Sequence, residues 1–198
     1  MKFALATANP GKIKEMLNIL SGMGFELVTR DQLGIDFHVE ETGLTFMENA
    51  LLKAQAICDA TGLPAIADDS GLVVMALNGE PGVFSSSYGG VDLSDEQRCK
   101  YLLEKMRDKE QNKAKFVCTI VCAFPSGEYL SAEGECDGEI TFEPRGTNGF
   151  GYDPVFLVDG VGKTMAQLSP SEKNAVSHRG KALIKFAALL QERGGGTK

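Results

Sequence analysis

The chain has 198 residues, 43% of them hydrophobic, enough for one substantial core within the size of a single domain. Its 20 basic and 27 acidic residues leave a net charge of −7, which repels a phosphate backbone and argues against nucleic acid as a partner. The five cysteines (Cys58, Cys99, Cys118, Cys122, Cys136) form no C-x-x-C pair and are joined by only 2 histidines, so a structural zinc site lacks ligands and the thiols read as reduced core residues.

Lys2 to Thr7 reads as a buried strand running into the turn formers Ala8-Asn9-Pro10-Gly11. The apolar run Phe3 to Ala6 is too short for a signal peptide, and no segment approaches about 18 apolar residues, so a soluble, cytoplasmic protein without membrane contact is expected. Ile13, Met16, Leu17 and Leu20 then form the core-facing stripe of a helix that ends near Gly22 and Gly24. Phe25 to Thr29 is a second strand. Thr45 and Glu48 make a capping box for a helix to about Ala60, with Met47, Ala50, Leu51, Ala54 and Ile57 inward and Gly62 as its stop.

Pro64 to Ala67 and Leu72 to Leu77 read as strands on either side of an acidic corner, Asp68-Asp69-Ser70-Gly71. Ser94 and Gln97 cap a helix to about Met106. Ala114 to Phe124 is a strongly apolar strand, Pro125-Ser126-Gly127 a turn, and Glu128 to Phe142 two strands broken at Asp137-Gly138, which together suggest an antiparallel meander. Ser169, Pro170 and Glu172 match N-cap, N1 and N3 of a final helical segment, whose later core face is Leu183, Ile184, Phe186, Ala187 and Leu190. No repeat or linker interrupts the pattern, so the expectation is a single α/β domain over 1–193, a long central mixed β-sheet flanked by helices, with a disordered tail at 194–198.

Five segments carry chemistry. Thr7-Ala8-Asn9-Pro10-Gly11-Lys12 is a strand-to-helix corner with free helix N–H groups and a lysine, the makings of an anion site, although it does not fit the Walker A pattern. An ordinary turn and cap would read the same way. The carboxylates of Asp68 and Asp69, and those of Glu40 and Glu41, suit Mg²⁺, which takes one or two protein carboxylates beside phosphate oxygens and water. Adjacent strand residues face opposite ways, so Asp68 and Asp69 share an ion only if the backbone turns at Asp69. A solvated acidic loop is the plainer alternative for each pair. In GTNGFGYDP (146–154), Phe150 or Tyr152 offers a ring to a flat heterocycle, unless the segment is a glycine-rich hairpin with core aromatics. Lys173, His178 and Arg179 gather in SEKNAVSHRG (171–180). In one continuous helix Lys173 and His178 diverge by roughly 140°, whereas a break near Ser177 brings them together.

Taken in order, TANPGK, EETGLTFMENALLKA, PAIADDSGL, GTNGFGYDPVF and EKNAVSHRG span nearly the whole chain and resemble the inosine triphosphate pyrophosphatase family, the dITP/XTP pyrophosphatases. The resemblance implies a Mg²⁺-dependent homodimer that cleaves ITP, dITP or XTP to the monophosphate and pyrophosphate, clearing them from the nucleotide pool. It also implies an elongated sheet in two lobes with an active-site cleft between them. Carried over by motif, Thr7, Ala8, Asn9, Pro10, Gly11 and Lys12 would take the triphosphate, Glu40 and Asp69 the metal, and Asp69 the proton of the attacking water. Lys53 and Ser70 would be further substrate contacts. Phe150, Gly151, Tyr152, Asp153, Lys173, His178 and Arg179 would make the nucleotide and base pocket, with Glu41 and Asp68 as supporting acids. One departure stands out: after Pro81-Gly82-Val83-Phe84 come Ser85-Ser86-Ser87, with serine where many bacterial members carry arginine. Maf-like pyrophosphatases share the chemistry but not the FGYD and SHRG segments, and a non-catalytic nucleotide sensor would not need Glu40 and Asp69.

Overall fold

In the computed structural model of the chain, which describes residues 2–195, six strands form one mixed sheet. They are β1 (Lys2–Leu5), β2 (Glu26–Thr29), β3 (Ala65–Val74), β4 (Lys113–Ala123), β5 (Tyr129–Ile140) and β6 (Phe156–Val158), in the spatial order β2-β1-β3-β4-β5-β6. β1 runs parallel to both neighbours, with Leu5 opposite Thr29 and Ala4 opposite Ala65. β6 closes the other edge antiparallel to β5. The helices are α1 (Pro10–Leu20), α2 (Phe46–Thr61), α3 (Asp95–Met106), α4 (Pro170–Val176) and α5 (His178–Gly195). Residues 194 and 195 of the expected tail belong to α5 instead, and residues 196–198 lie outside the described part of the chain. Among the described residues no helix is long and apolar enough to cross a membrane.

The chain divides into two compact units. The first takes the described residues up to Asp69, Cys118–Gly134 and the chain from Arg179 onward; the second takes Ser70–Val117 and Glu135–His178. Strand alternation organises the first unit. Phe3, Leu5, Ile66, Cys118, Ile120 and Cys122 pack with Met16 and Leu20 of α1 and with Leu183, Phe186 and Leu190 of α5. The intervening Ala4, Ala65, Ala67 and Val121 pack with Ala50, Ala54 and Ile57 of α2. The small alanines let α2 lie close, while each large side chain fully buried on the other face contributes about 1.5–3 kcal/mol. The second unit buries Leu72, Val74, Leu102, Met106, Phe116, Ile140, Phe156 and Met165. All five cysteines are buried and free.

The caps read from sequence form: Thr45–Glu48, Ser94–Gln97 and Ser169–Glu172 are reciprocal capping boxes, and Gly62 ends α2 in the left-handed conformation. Three readings change. Residues 65–74 are one strand through Asp68-Asp69-Ser70-Gly71 rather than two around a corner, and residues 75–77 form a 3₁₀ turn. β5 runs unbroken through Asp137-Gly138. Gly138 is there for close approach, since a Cβ would lie 2.3 Å from the Leu157 carbonyl oxygen of β6. Ile184 is 49% exposed instead of facing the core. Of the two forms left open for the last helical segment, the broken one is found: Ser177, with extended backbone (φ −70°, ψ 155°), ends α4 before α5 begins.

Candidate active site

Because β3 continues through both acids, Asp68 and Asp69 project to opposite faces of it. Asp68 follows the parity of Ile66, toward α1 and α5, and Asp69 that of Ala65 and Ala67, toward α2. Asp68 is fully buried; its Oδ2 takes Lys12 Nζ at 3.0 Å and Arg179 Nε and Nη2 at 3.1 and 3.0 Å. Burial alone would raise its pKa, but Lys12, Arg179 and Lys53 outweigh burial and hold the carboxyl well below the usual range. Arg179, itself 1% exposed, places its remaining terminal nitrogen Nη1 on Glu15 Oε2 at 2.6 Å.

On the other face, Lys53 of α2 bridges two carboxylates, Asp69 Oδ1 at 3.2 Å and Glu41 Oε1 at 3.1 Å. Burial opposes the charge on Lys53, yet Asp69, Asp68 and Glu41 together lift its pKa, so it is an ammonium at neutral pH. Asp69 behaves differently from its neighbour: burial pushes its pKa up, and the attraction of Lys53 and Lys12 does not cancel that. Its Oδ2 is buried and has no hydrogen-bond partner among the described residues. An ionised acid with one oxygen held by a lysine and the other unsatisfied is a poor structural group. It is a good hard-cation ligand.

The donor set suits Mg²⁺. Lys53 gathers the carboxylate oxygens of Asp69 and Glu41, and among the described residues no group of three or more His, Cys, Asp or Glu side chains converges to cage a metal. A hard ion that keeps water and phosphate oxygens in its shell needs no such cage. Glu41 is the second acid that the structure brings to Asp69, through Lys53. Glu40 is exposed and forms no hydrogen bond or ion pair with either.

The N-terminal corner leads into α1 with Asn9 as N-cap, its Oδ1 accepting from Lys12 N at 3.1 Å. Thr7 Oγ1 in turn accepts from Asn9 N at 3.2 Å. Pro10 has no N–H and Ile13 N already bonds the Asn9 carbonyl, which leaves the Gly11 N–H as the outward donor of the first turn. Ala8, Asn9 and Pro10 are exposed, and Lys12 stands one turn in, tied to Asp68. The cap forms, and it fixes the shape of the Thr7–Lys12 segment with the Gly11 N–H left outward.

In the second unit the Gly149–Asp153 turn is held from inside. Asp153, 3% exposed, accepts at Oδ2 from Phe150 N at 3.0 Å and Lys173 Nζ at 2.6 Å. Gly149 has φ +79°, and a Cβ there would stand 1.9 Å from the same oxygen, so only glycine fits. Lys173 Nζ lies 4.7 Å from the centre of the half-buried Phe150 ring. Tyr152, by contrast, is core: it is 4% exposed and its hydroxyl donates to the Ser85 carbonyl at 2.9 Å. His178 is buried with its ring stacked on Phe116, 4.6 Å between centroids at 11°. Ser70 is half-buried on β3. Ser87, at the arginine position, reaches only its neighbouring turn, with Oγ 3.4 Å from the Phe84 carbonyl.

Sequence reasoning did not find Glu15 or Phe116. Glu15 lies three residues after Lys12, so the two share a helix face, and that spacing was the available sign. Nothing local to either segment announces that Arg179 completes the group.

Comparison with known proteins gives the family. The Ham1 family model matches residues 3–189. A dITP/XTP pyrophosphatase of Thermus thermophilus is 51% identical over 193 residues, covering 96% of this chain and 91% of that protein. Those of Shigella flexneri (49%, covering 92% and 94%) and Haemophilus influenzae (50%, covering 96% and 98%) are similarly near. Among solved structures, a HAM1 protein from Coxiella burnetii superposes with a TM-score of 0.89 at 42% identity, covering 97% of this chain and 99% of that one. The Staphylococcus aureus Ham1 protein gives 0.88 at 42% identity, covering 98% and 100%. Matched by the family model over nearly its whole length and by full-length relatives at about half identity, the chain belongs to the Ham1 family.

Proposed function

We propose that this protein hydrolyses abnormal purine nucleoside triphosphates, ITP, dITP and XTP, to the monophosphate and pyrophosphate, removing them from the nucleotide pool. The observation that carries this reading is Asp69: a buried carboxylate with one oxygen on Lys53, the other without a partner, and a pKa raised by burial. Such a group is placed to accept a proton in hydrolysis.

In this reading water attacks the α-phosphorus, its proton passes to Asp69, and the bond from the α-phosphorus to the bridging oxygen breaks as pyrophosphate leaves. Lys12, the Gly11 N–H and the Thr7–Asn9 segment neutralise the charge that builds on the departing phosphates. Mg²⁺, held by Asp69 with Glu41 or Glu40, would supply electrostatic stabilisation of the phosphoryl oxygens and acidify a water. Lys53 holds the Asp69 and Glu41 carboxylates side by side for that task. Asp68, clamped by Arg179, holds Lys12 in position.

Base choice falls to the second unit. Phe150 offers the ring on which a purine stacks, and Lys173 and His178 are the buried donors suited to a 6-keto oxygen. Adenine presents an amino group there and leaves such donors unmet, an expensive mismatch. A donor facing C2 would tolerate the hydrogen of hypoxanthine and the oxygen of xanthine while opposing the amino group of guanine. Arg179, with Nε, Nη1 and Nη2 all turned to carboxylates, is assigned to the triphosphate side rather than to the base. A homodimer as the working form follows from the resemblance alone, and a cytoplasmic location from the composition and the short apolar runs.

Product analysis tests the reaction. ITP with Mg²⁺ should yield IMP and pyrophosphate, with oxygen from labelled water in the IMP; IDP and inorganic phosphate would contradict it. Chelation of the metal should stop turnover.

A further inference from the structure

Helix α3 touches the Gly149–Asp153 turn twice, at one residue. Asp95, the first residue of the helix, accepts at Oδ2 from the Gly151 N–H at 2.7 Å. One turn on, the Cys99 thiol donates to the Gly151 carbonyl oxygen at 3.4 Å. Residues four apart share a helix face, so a single stripe of α3 holds both backbone groups of one glycine. Burial pushes the Cys99 thiol up to about 12, so it keeps the proton it donates.

Asp95 is not needed to cap its own helix. Ser94 and Gln97 already form a reciprocal capping box there, Ser94 N to Gln97 Oε1 at 2.8 Å and Gln97 N to Ser94 Oγ at 3.2 Å. A carboxylate is electrostatically favoured at a helix N-terminus, which suits Asp95 to its bond with Gly151. Gly151 sits at φ +60°, and the residue before it is Phe150, whose own N–H is held by Asp153. Two consecutive amides are therefore fixed by two carboxylates, 58 residues apart in sequence, Asp95 and Asp153. The side chain carried between those anchors is the Phe150 ring.

We propose that the Asp95–Cys99 face of α3 sets the orientation of Phe150 by fixing Gly151, so that Asp95 is a positioning residue for purine stacking. This rests on the reading of Phe150 as the stacking platform. It gives the start of α3 a share in substrate affinity without any contact of its own to the base.

A double-mutant cycle with ITP tests it, together with amide hydrogen exchange of the substrate-free protein. Phe150→Ala should raise KM about tenfold, the scale of one lost base–aromatic stack. Asp95→Ala should raise KM in the same direction with kcat little changed, and Asp95→Asn, which keeps an acceptor oxygen, should stay within about twofold of wild type. The double variant should be no worse than Phe150→Ala alone, because both act through one ring. The Gly151 amide should exchange faster in Asp95→Ala. An unchanged KM in Asp95→Ala, effects that multiply in the double variant, or unchanged exchange at Gly151 would each overturn the proposal. Wild-type protein that releases no pyrophosphate from ITP would instead count against the proposed reaction, and exchange at Gly151 would still decide whether Asp95 holds the turn.

Discussion

Arg179 grips Asp68 with two nitrogens, Nε at 3.1 Å and Nη2 at 3.0 Å on the same oxygen, while Nη1 reaches Glu15 at 2.6 Å. The guanidinium and Asp68 are each 1% exposed, so neither charge has water to fall back on. This pairing ties α1, β3 and α5 together.

Breaking it should be costly. Arg179→Ala removes one partner of a buried ion pair and is expected to destabilise the protein by about 3–5 kcal/mol, measured by denaturant unfolding. Arg179→Lys should recover only part, because one ammonium cannot reproduce the fork to Asp68 and Glu15. A loss within about 0.5 kcal/mol, typical of surface changes, would mean the pair has no structural role.

Asp69→Asn should separate activity from stability. Turnover should fall by about 10²–10⁴, the usual contribution of a positioned acid or base. Stability should move the other way or stay level. The folded-state pKa of Asp69 lies above its unfolded value, so at neutral pH the ionised side chain works against the fold, and a neutral amide removes that penalty. Thermal melting of the metal-free variant checks this, and a clearly lowered melting temperature would contradict it.

Alkaline pH should unfold the protein through its thiols. Cys99, Cys118 and Cys122 are each pushed up to about 12 by burial. In the unfolded chain a thiol ionises near its ordinary value of about 8.5, while the folded protein holds the proton. The unfolded state therefore binds fewer protons in this window, and stability is full below about 8.5 and declines as pH rises toward 12. Unfolding curves across pH 8 to 11 measure the slope, which Cys118→Ala should reduce. The same thiols should react slowly with disulfide reagents until the protein is denatured.

Much of this was legible in the sequence because the signals were local. The three capping boxes, the inward stripes of α1 and α2 and the break at Ser177 are written in residues within one or two helical turns of each other. The acidic site was only half legible. Read as a turn, Asp68-Asp69-Ser70-Gly71 left open whether both acids share one ion; as a continuous strand it sends Asp68 to Arg179 and Asp69 to Lys53. Gly71 and Gly138 look like breakers in isolation, and only the neighbouring strands decide otherwise, as the close approach of β6 to Gly138 shows. Phe150 and Tyr152 were interchangeable by composition and are separated by packing, since the Tyr152 hydroxyl is tied to the Ser85 carbonyl. Long-range partners such as Glu15 for Arg179, 164 residues apart, leave no trace in spacing at all.

The most direct test of the central claim is pyrophosphate release by the wild-type protein from ITP, dITP, XTP, GTP and ATP, compared as kcat/KM with Mg²⁺ present. The account predicts that ITP, dITP and XTP exceed both GTP and ATP by at least about 10²-fold, the discrimination expected when buried donors are matched or left unmet. Equal efficiency with GTP and ITP would contradict it.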